Sequence, residues 1–176
     1  MDSMKIRLYG VVNDSIVDGP GLRYTVFTQG CLHHCVGCHN PQSWDLDGGY
    51  EEDIETIVDE ILRNPLLDGV TFSGGEPFLQ ARPLIALIHQ LQKHKSLHLM
   101  IYSGYTYEEI LQLGDEAKEL LSLCDTLVDG RFDLSLKSLR LIYKGSSNQR
   151  IIDIQKSLRC HKVCEQKVND YGEFVD

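Results

Sequence analysis

The apolar residues of this chain switch between a period of two and a period near 3.6 along its length. That alternation constrains the fold more than any other feature of the sequence. Residues 5–11 and 22–29 are rich in β-branched and aromatic side chains and are expected to be strands, with Asp18-Gly19-Pro20-Gly21 as a turn between them. Residues 53–64 place Ile54, Ile57, Val58, Ile61 and Leu62 on one helical face. Glu51, Glu52, Asp53, Glu55, Asp59 and Glu60 crowd the expected helix start as a solvated face. A short strand at 70–73 runs into Gly74-Gly75, followed by a helix at 83–93 with Pro83 in its first turn. Residues 97–102 are expected to be a strand, and 107–124 a helix broken at Gly114. Strands at Thr126–Asp129 and 139–143 and a helix at 148–158 complete the pattern.

This order implies a largely parallel sheet with crossover helices. A closed eight-stranded barrel needs roughly 250 residues, and this chain has 176. The expected fold is therefore α/β: an open, partial (β/α) barrel with a mostly parallel sheet over residues 1–158, and a polar C-terminal tail over 159–176. In such sheets the chemistry sits where strands end.

Lys plus Arg number 17 and Asp plus Glu 26, a net charge of −9. That balance argues against a nucleic-acid partner, whose binding runs on phosphate neutralisation. No apolar run approaches the roughly 18 residues of a membrane helix, so no membrane association is expected. Met1-Asp2-Ser3-Met4 has neither the basic nor the apolar region of a signal peptide, which points to the cytoplasm. The six cysteines are then expected to be ligands or reactive thiols rather than a disulfide framework.

Three of them, Cys31, Cys35 and Cys38, follow the strand at 22–29 in a C-x3-C-x2-C spacing. Soft thiolates this close suit an iron–sulfur cluster or zinc. Gly30 and Gly37 let the loop fold tightly, with backbone amides near sulfur. Three ligands leave one metal position open, as in a site that works on a small molecule. The other reading is a zinc site completed by His33, His34 or His39.

This loop resembles that of the radical S-adenosylmethionine enzymes. Within them, Asp18-Gly19-Pro20-Gly21-Leu22-Arg23, Gln29-Gly30-Cys31 and Cys38-His39-Asn40-Pro41-Gln42-Ser43-Trp44 resemble the glycyl-radical-enzyme activases, as do Asp129-Gly130-Arg131-Phe132 and Gly145-Ser146-Ser147-Asn148-Gln149. The resemblance implies one four-iron, four-sulfur (4Fe-4S) cluster on Cys31, Cys35 and Cys38, with S-adenosylmethionine chelating the fourth iron. It implies one-electron cleavage of S-adenosylmethionine, fed by reduced flavodoxin or a similar donor, to a 5′-deoxyadenosyl radical. That radical takes a hydrogen from a glycine of a protein partner. The partner implied is the large catalytic subunit of anaerobic ribonucleotide reductase. The alternatives are a pyruvate formate-lyase-type partner or a non-catalytic zinc or iron–sulfur module.

By the same resemblance Gly74, Gly75 and Glu76 of Ser73-Gly74-Gly75-Glu76-Pro77 meet the amino group of S-adenosylmethionine, and Ser103 of Tyr102-Ser103-Gly104-Tyr105 lies near its ribose or methionine. Many members carry an aromatic residue immediately before the third cysteine. Here Gly37 stands there, so its backbone meets the adenine and stacking falls to His39 or is absent. Asn148 is expected either to cap the last helix or to hold the cofactor carboxylate with that helix's N-terminus. Asp129 is expected to orient a cation, and Arg131 to meet the carboxylate, the partner or a surface acid. Arg23 reads as a solvated edge residue, Trp44 as packing over the loop base, and Cys124 as a buried small hydrophobe. Cys160 and Cys164, past the family-like core, read as free thiols that leave the chemistry untouched.

Overall fold

The computed structural model describes residues 4–176. Met1, Asp2 and Ser3, on which the compartment expectation mainly rests, lie outside the described residues. The sheet is built from β1 (Lys5–Ser15), β2 (Arg23–Thr28), β3 (Tyr50–Asp53), β4 (Gly69–Gly74), β5 (His98–Tyr102), β6 (Thr126–Asp129) and β7 (Arg150–Asp153), in the order β3-β1-β2-β4-β5-β6-β7. β2, β4, β5 and β6 run parallel, while β1, β3 and β7 join antiparallel. β3 and β7 stand at opposite edges, so the sheet is open, as the segment count requires.

The helices are α1 (Ile54–Arg63), α2 (Ala81–Gln92), α3 (Tyr107–Ile110), α4 (Asp115–Leu123) and α5 (Ile154–Cys160). The strand pleat sorts side chains to two faces. Tyr24, Val26, Val70, Phe72, Leu99, Ile101, Leu127 and Ile152 join Ile57, Ile61, Leu84, Leu87, Ile88, Leu91, Leu120 and Leu121 in the main core. α1, α2, α4 and α5 pack side by side in chain order. With one face of the sheet covered by helices, the other is left for a different purpose.

That second face carries Arg23, Thr25, Thr71, Met100 and Val128, all buried. A C-terminal hairpin of β8 (Lys167–Val168) and β9 (Phe174–Val175) covers part of it. Met100, Val128 and Ile151 form a second apolar cluster with Tyr102, Tyr143, Val168 and Phe174. The tail also pairs with β7: Gln166 N donates to Ile151 O at 2.8 Å, and Asp153 N to Cys164 O at 2.9 Å.

Four sequence expectations change. Residues 139–143 form no strand; they lie in a turn-rich loop, exposed at Leu139 and Arg140 and half-buried from Leu141 to Tyr143. The helix expected over 148–158 is instead β7 followed by α5, because Ile151 and Ile152 bury opposite faces of a strand. Glu51 and Glu52 sit on the edge strand β3 rather than at the start of α1. Arg23 is not a solvated edge residue: it is fully buried. Its Nε donates to Thr71 Oγ1 at 2.7 Å, and its terminal nitrogens to the carbonyls of Pro20, Val70 and His98 at 2.9–3.0 Å. Burial pulls its guanidinium down to about 10.

Candidate metal and cofactor site

β2 delivers the chain to the cysteine loop, and a 3-10 turn at Pro41–Ser43 brings it back. Gly30 N donates to Ser43 O at 2.7 Å and Cys31 N to Trp44 O at 3.1 Å, closing the loop at its base. Inside, Cys38 N donates to Cys35 O at 3.1 Å, and Gly37 adopts φ +79°, where a side chain would be strained. Trp44 packs against the loop, as expected, with its ring stacked on His34 at 4.6 Å. Cys31 is buried, and burial pushes its thiol up while the backbone amides of His33 and His34 pull the other way. Amides near sulfur are the support that the glycines of this loop led one to expect.

Cys31, Cys35 and Cys38 line one wall of an open cavity of about 230 Å³. The opposite walls come from strand ends: Ser73, Gly74 and Gly75 after β4, Tyr102, Ser103 and Gly104 after β5, and Gly130 and Phe132 after β6. Gly145 and Gln149, just before β7, complete it. Among the described residues no three His, Cys, Asp or Glu side chains converge on one point as a single ion requires. The three cysteines share the lining of one cavity.

Of the residues expected at the cofactor, Cys38, His39, Gly74, Gly75 and Ser103 line this cavity, whereas Gly37, Glu76 and Asn148 do not. Gly37 faces away: a Cβ built on it would come within 2.9 Å of the Leu134 side chain. Asn148 caps no helix, since α5 begins six residues later, and its Nδ2 donates to Arg131 O at 2.8 Å. The proposed helix N-terminus for the carboxylate is therefore absent from this position.

Glu76 is fully buried behind the cavity wall. Its Oε1 lies 2.8 Å from His33 Nε2 and accepts from Ser103 Oγ at 2.7 Å and Gly104 N at 2.8 Å. Its Oε2 accepts from Phe78 N at 3.0 Å. One carboxylate thus ties together the cysteine loop, the β4 end and the β5 end. Gly74 and Gly75 also serve the protein's own backbone. A Cβ on Gly75 would meet Gly30 O at 2.4 Å, and one on Gly74 would meet Thr28 N at the same distance.

Asp129 does orient a cation, Arg150, whose Nη2 lies 2.6 Å from Asp129 Oδ2. The same oxygen accepts from Tyr107 N at 2.8 Å. Glu108 shares Arg150, which holds its carboxyl below the usual range. Arg131 takes the surface role, paired with Glu109 at 3.1 Å. Sequence reasoning had not placed Phe132, Tyr102 or Gln149 individually at the site. Gln149 holds its loop, accepting from Gly145 N at 2.8 Å and donating to Gly130 O at 2.9 Å. Its presence at the end of the Gly145–Gln149 motif was the available signal.

Residues 17–152 match the family model of a 4Fe-4S single cluster domain. The chain is 35% identical over 144 residues to the anaerobic ribonucleoside-triphosphate reductase-activating protein of Vibrio cholerae, covering 77% of this chain and 90% of that protein. This chain belongs to that family. Its Salmonella typhi member is 33% identical over 141 residues, with 76% and 90% covered. A pyruvate formate-lyase-activating enzyme of Clostridium pasteurianum is 42% identical over 118 residues, 62% of this chain. The chain spans only about half of that enzyme, 49%, but nine-tenths of the reductase-activating proteins. Among solved structures, QueE from Escherichia coli superposes with a TM-score of 0.45 and 17% identity over 58% of this chain and 54% of that one, a distant likeness.

Proposed function

We propose that this protein activates an anaerobic ribonucleoside-triphosphate reductase by generating a glycyl radical on the reductase's large catalytic subunit. The observation that carries the reading is the cavity at the ends of the parallel strands, lined by the three cysteines together with Ser73, Gly74 and Gly75. The donor set fits a 4Fe-4S cluster: three soft thiols lining one cavity, supported by amides at Cys31. When bound, the cluster and S-adenosylmethionine would supply one-electron reductive cleavage of the cofactor, releasing methionine and giving the 5′-deoxyadenosyl group the power to take a hydrogen from the partner's glycine.

The chain's own residues do the rest. Cys31, Cys35 and Cys38 would hold the cluster through their three thiolates. Ser73, Gly74 and Gly75 line the cavity, where their backbone is offered to an ammonium group, and Ser103 and Gly104 bound the same space. His39 and Phe132, with ring centroids 5.4 Å apart and planes tilted by 54°, each offer a ring face to the adenine in place of the aromatic residue that Gly37 replaces. Glu76 positions three of these loops without touching the cofactor. The protein thereby contributes ligation and orientation, while the radical chemistry is the cofactor's. The electron donor is a low-potential carrier such as flavodoxin, and the compartment is the cytoplasm. No helix among the described residues is long and apolar enough to cross a membrane.

The coverage of nine-tenths of the reductase-activating relatives favours a reductase over a pyruvate formate-lyase as partner. Anaerobic reconstitution tests the whole reading. Iron and sulfide should bind, and the EPR spectrum of the reduced protein should change on adding S-adenosylmethionine. A glycyl doublet should appear with the reductase subunit and not with a pyruvate formate-lyase. Cys31→Ala, Cys35→Ala and Cys38→Ala should each abolish these signals. Zinc in place of iron, or cleavage that survives any of the three substitutions, overturns it.

A further inference from the structure

The loop between β6 and β7 leaves the cavity wall and returns to it. Phe132 at its start and Gly145 and Gln149 at its end line the cavity. The excursion is braced: Lys137 bridges to Ser146, Ser147 N donates to Leu136 O at 3.0 Å, and Asp133 N to Ser146 Oγ at 3.1 Å. Its outward side is nevertheless apolar. Leu134, Leu136 and Leu139 are 49%, 41% and 94% exposed. Leu134 packs toward Gly37, so this surface continues onto the cysteine loop, where Val36 is 77% exposed. Single exposed leucines carry little meaning; a run of them on a loop whose two ends line a reaction cavity does.

The charge is as uneven as the hydropathy. Across residues 134–152 the sequence has four basic side chains, Lys137, Arg140, Lys144 and Arg150, and no acid, within a chain of net charge −9. Arg150 is engaged by Asp129 and Glu108. Lys137 and Arg140 are exposed and form no ion pair among the described residues.

We propose that this loop is the docking surface for an extended acidic and apolar segment of the protein partner, the segment that carries the reactive glycine into the cavity. The inference rests on the function proposed above and adds the surface and the chemistry of what binds it. A glycine must reach the cavity as main chain, so its flanking residues lie across the rim. The leucines take apolar flanking side chains, and Lys137 and Arg140 take acidic ones. The negative charge of the rest of the molecule repels such a segment elsewhere, which orients its approach. A nucleic acid would call for stacking rings between the basic side chains. Ser138 and Leu139 stand between Lys137 and Arg140, and the Tyr143 ring before Lys144 packs on the tail with its hydroxyl donating to Gly172 O at 2.7 Å, which favours a protein.

The test uses the full reconstituted chain, the large subunit of an anaerobic ribonucleotide reductase, and the variants Leu139→Asp and Lys137→Glu/Arg140→Glu. None of these three residues lines the cavity. Partner-free cleavage of S-adenosylmethionine with dithionite should stay within about twofold of the parent, while binding of the subunit, measured by calorimetry, weakens by about tenfold or more in each variant. Raising sodium chloride from about 0.05 to 0.3 M should weaken the parent more than the charge-reversed variant. Parent-like binding by both variants, or failure of the parent to bind the subunit, overturns the proposal. So does binding of a single-stranded RNA oligonucleotide that the variants lose while subunit binding persists. A parent that binds the subunit but cleaves no S-adenosylmethionine sinks the proposed function and leaves the docking surface standing.

Discussion

Glu76 shows how one residue gathers a site that four separate strand ends must build. Its two oxygens accept from Ser103 Oγ, Gly104 N and Phe78 N and meet the His33 ring, with no exposure to solvent. Glu76→Gln keeps the shape but turns an amide N–H toward a donor. We expect a loss of about 1–3 kcal/mol in urea unfolding, the cost of a buried polar group left unmatched. S-Adenosylmethionine cleavage should fall with it, since the loop carrying Cys31 shares the clasp. A Gln variant as stable and as active as the parent would show that the clasp is dispensable. The sequence marked Glu76 as a site residue but had no means of showing which way it points. Direction is decided by the Gly75–Gly30 approach, a contact between segments 45 residues apart.

Arg23 and His98 make a second residue-scale case. The His98 ring Nδ1 lies 3.0 Å from Arg23 Nη2, and its Nε2 lies 3.2 Å from Thr126 Oγ1. A guanidinium only donates, so Nδ1 accepts and Nε2 carries the proton. Burial lowers the His98 pKa, Arg23 lowers it further, and Asp125 opposes them. An unfolded imidazole titrates near about 6.5. The folded value lies below that, so the contribution to stability is complete above about pH 6.5 and is lost as pH falls toward the folded value. Urea midpoints measured from about pH 7.5 to 5 should decline, and His98→Gln should flatten the decline over that window. An unchanged slope in His98→Gln would assign the effect to another group.

At the scale of elements, the strands and helices with a single clean period were legible from sequence. Thr126–Asp129 is a strand over the residues expected, and the break at Gly114 separates α3 from α4. β7 was not legible, for a physical reason. A strand buried on both faces shows no alternation, and Arg150-Ile151-Ile152-Asp153-Ile154 also fits a helical period. The switch is made by Asp153, whose carboxylate accepts from Lys156 N at 3.0 Å and starts α5. Asp153→Ala should therefore lower stability by about 1 kcal/mol and speed amide exchange in α5 more than in α2. Equal exchange in both helices would argue that pairing with the tail, not the cap, holds α5.

At the scale of the whole molecule, chemistry and closure occupy opposite ends of the sheet. The thiols and the glycine pair lie where β2 and β4 end, whereas Arg23 and His98 begin β2 and β5. The β8–β9 hairpin closes that second end: the Phe174 ring lies 5.7 Å from His98 and 6.2 Å from Tyr143. Composition alone read this segment as a polar tail, because its few apolar residues gain meaning only from the cluster they complete. Phe174→Ala should cost about 2 kcal/mol for a half-buried ring. It should leave the rate of S-adenosylmethionine cleavage per folded molecule unchanged. Cys160→Ser with Cys164→Ser should be silent in the same assay, since neither thiol lines the cavity. If Phe174→Ala slows cleavage while the protein remains fully folded by urea titration, the two ends are coupled through Tyr102, the residue of β5 that touches both the tail cluster and the cavity wall. A rate that holds while stability falls places the hairpin's contribution in the scaffold alone.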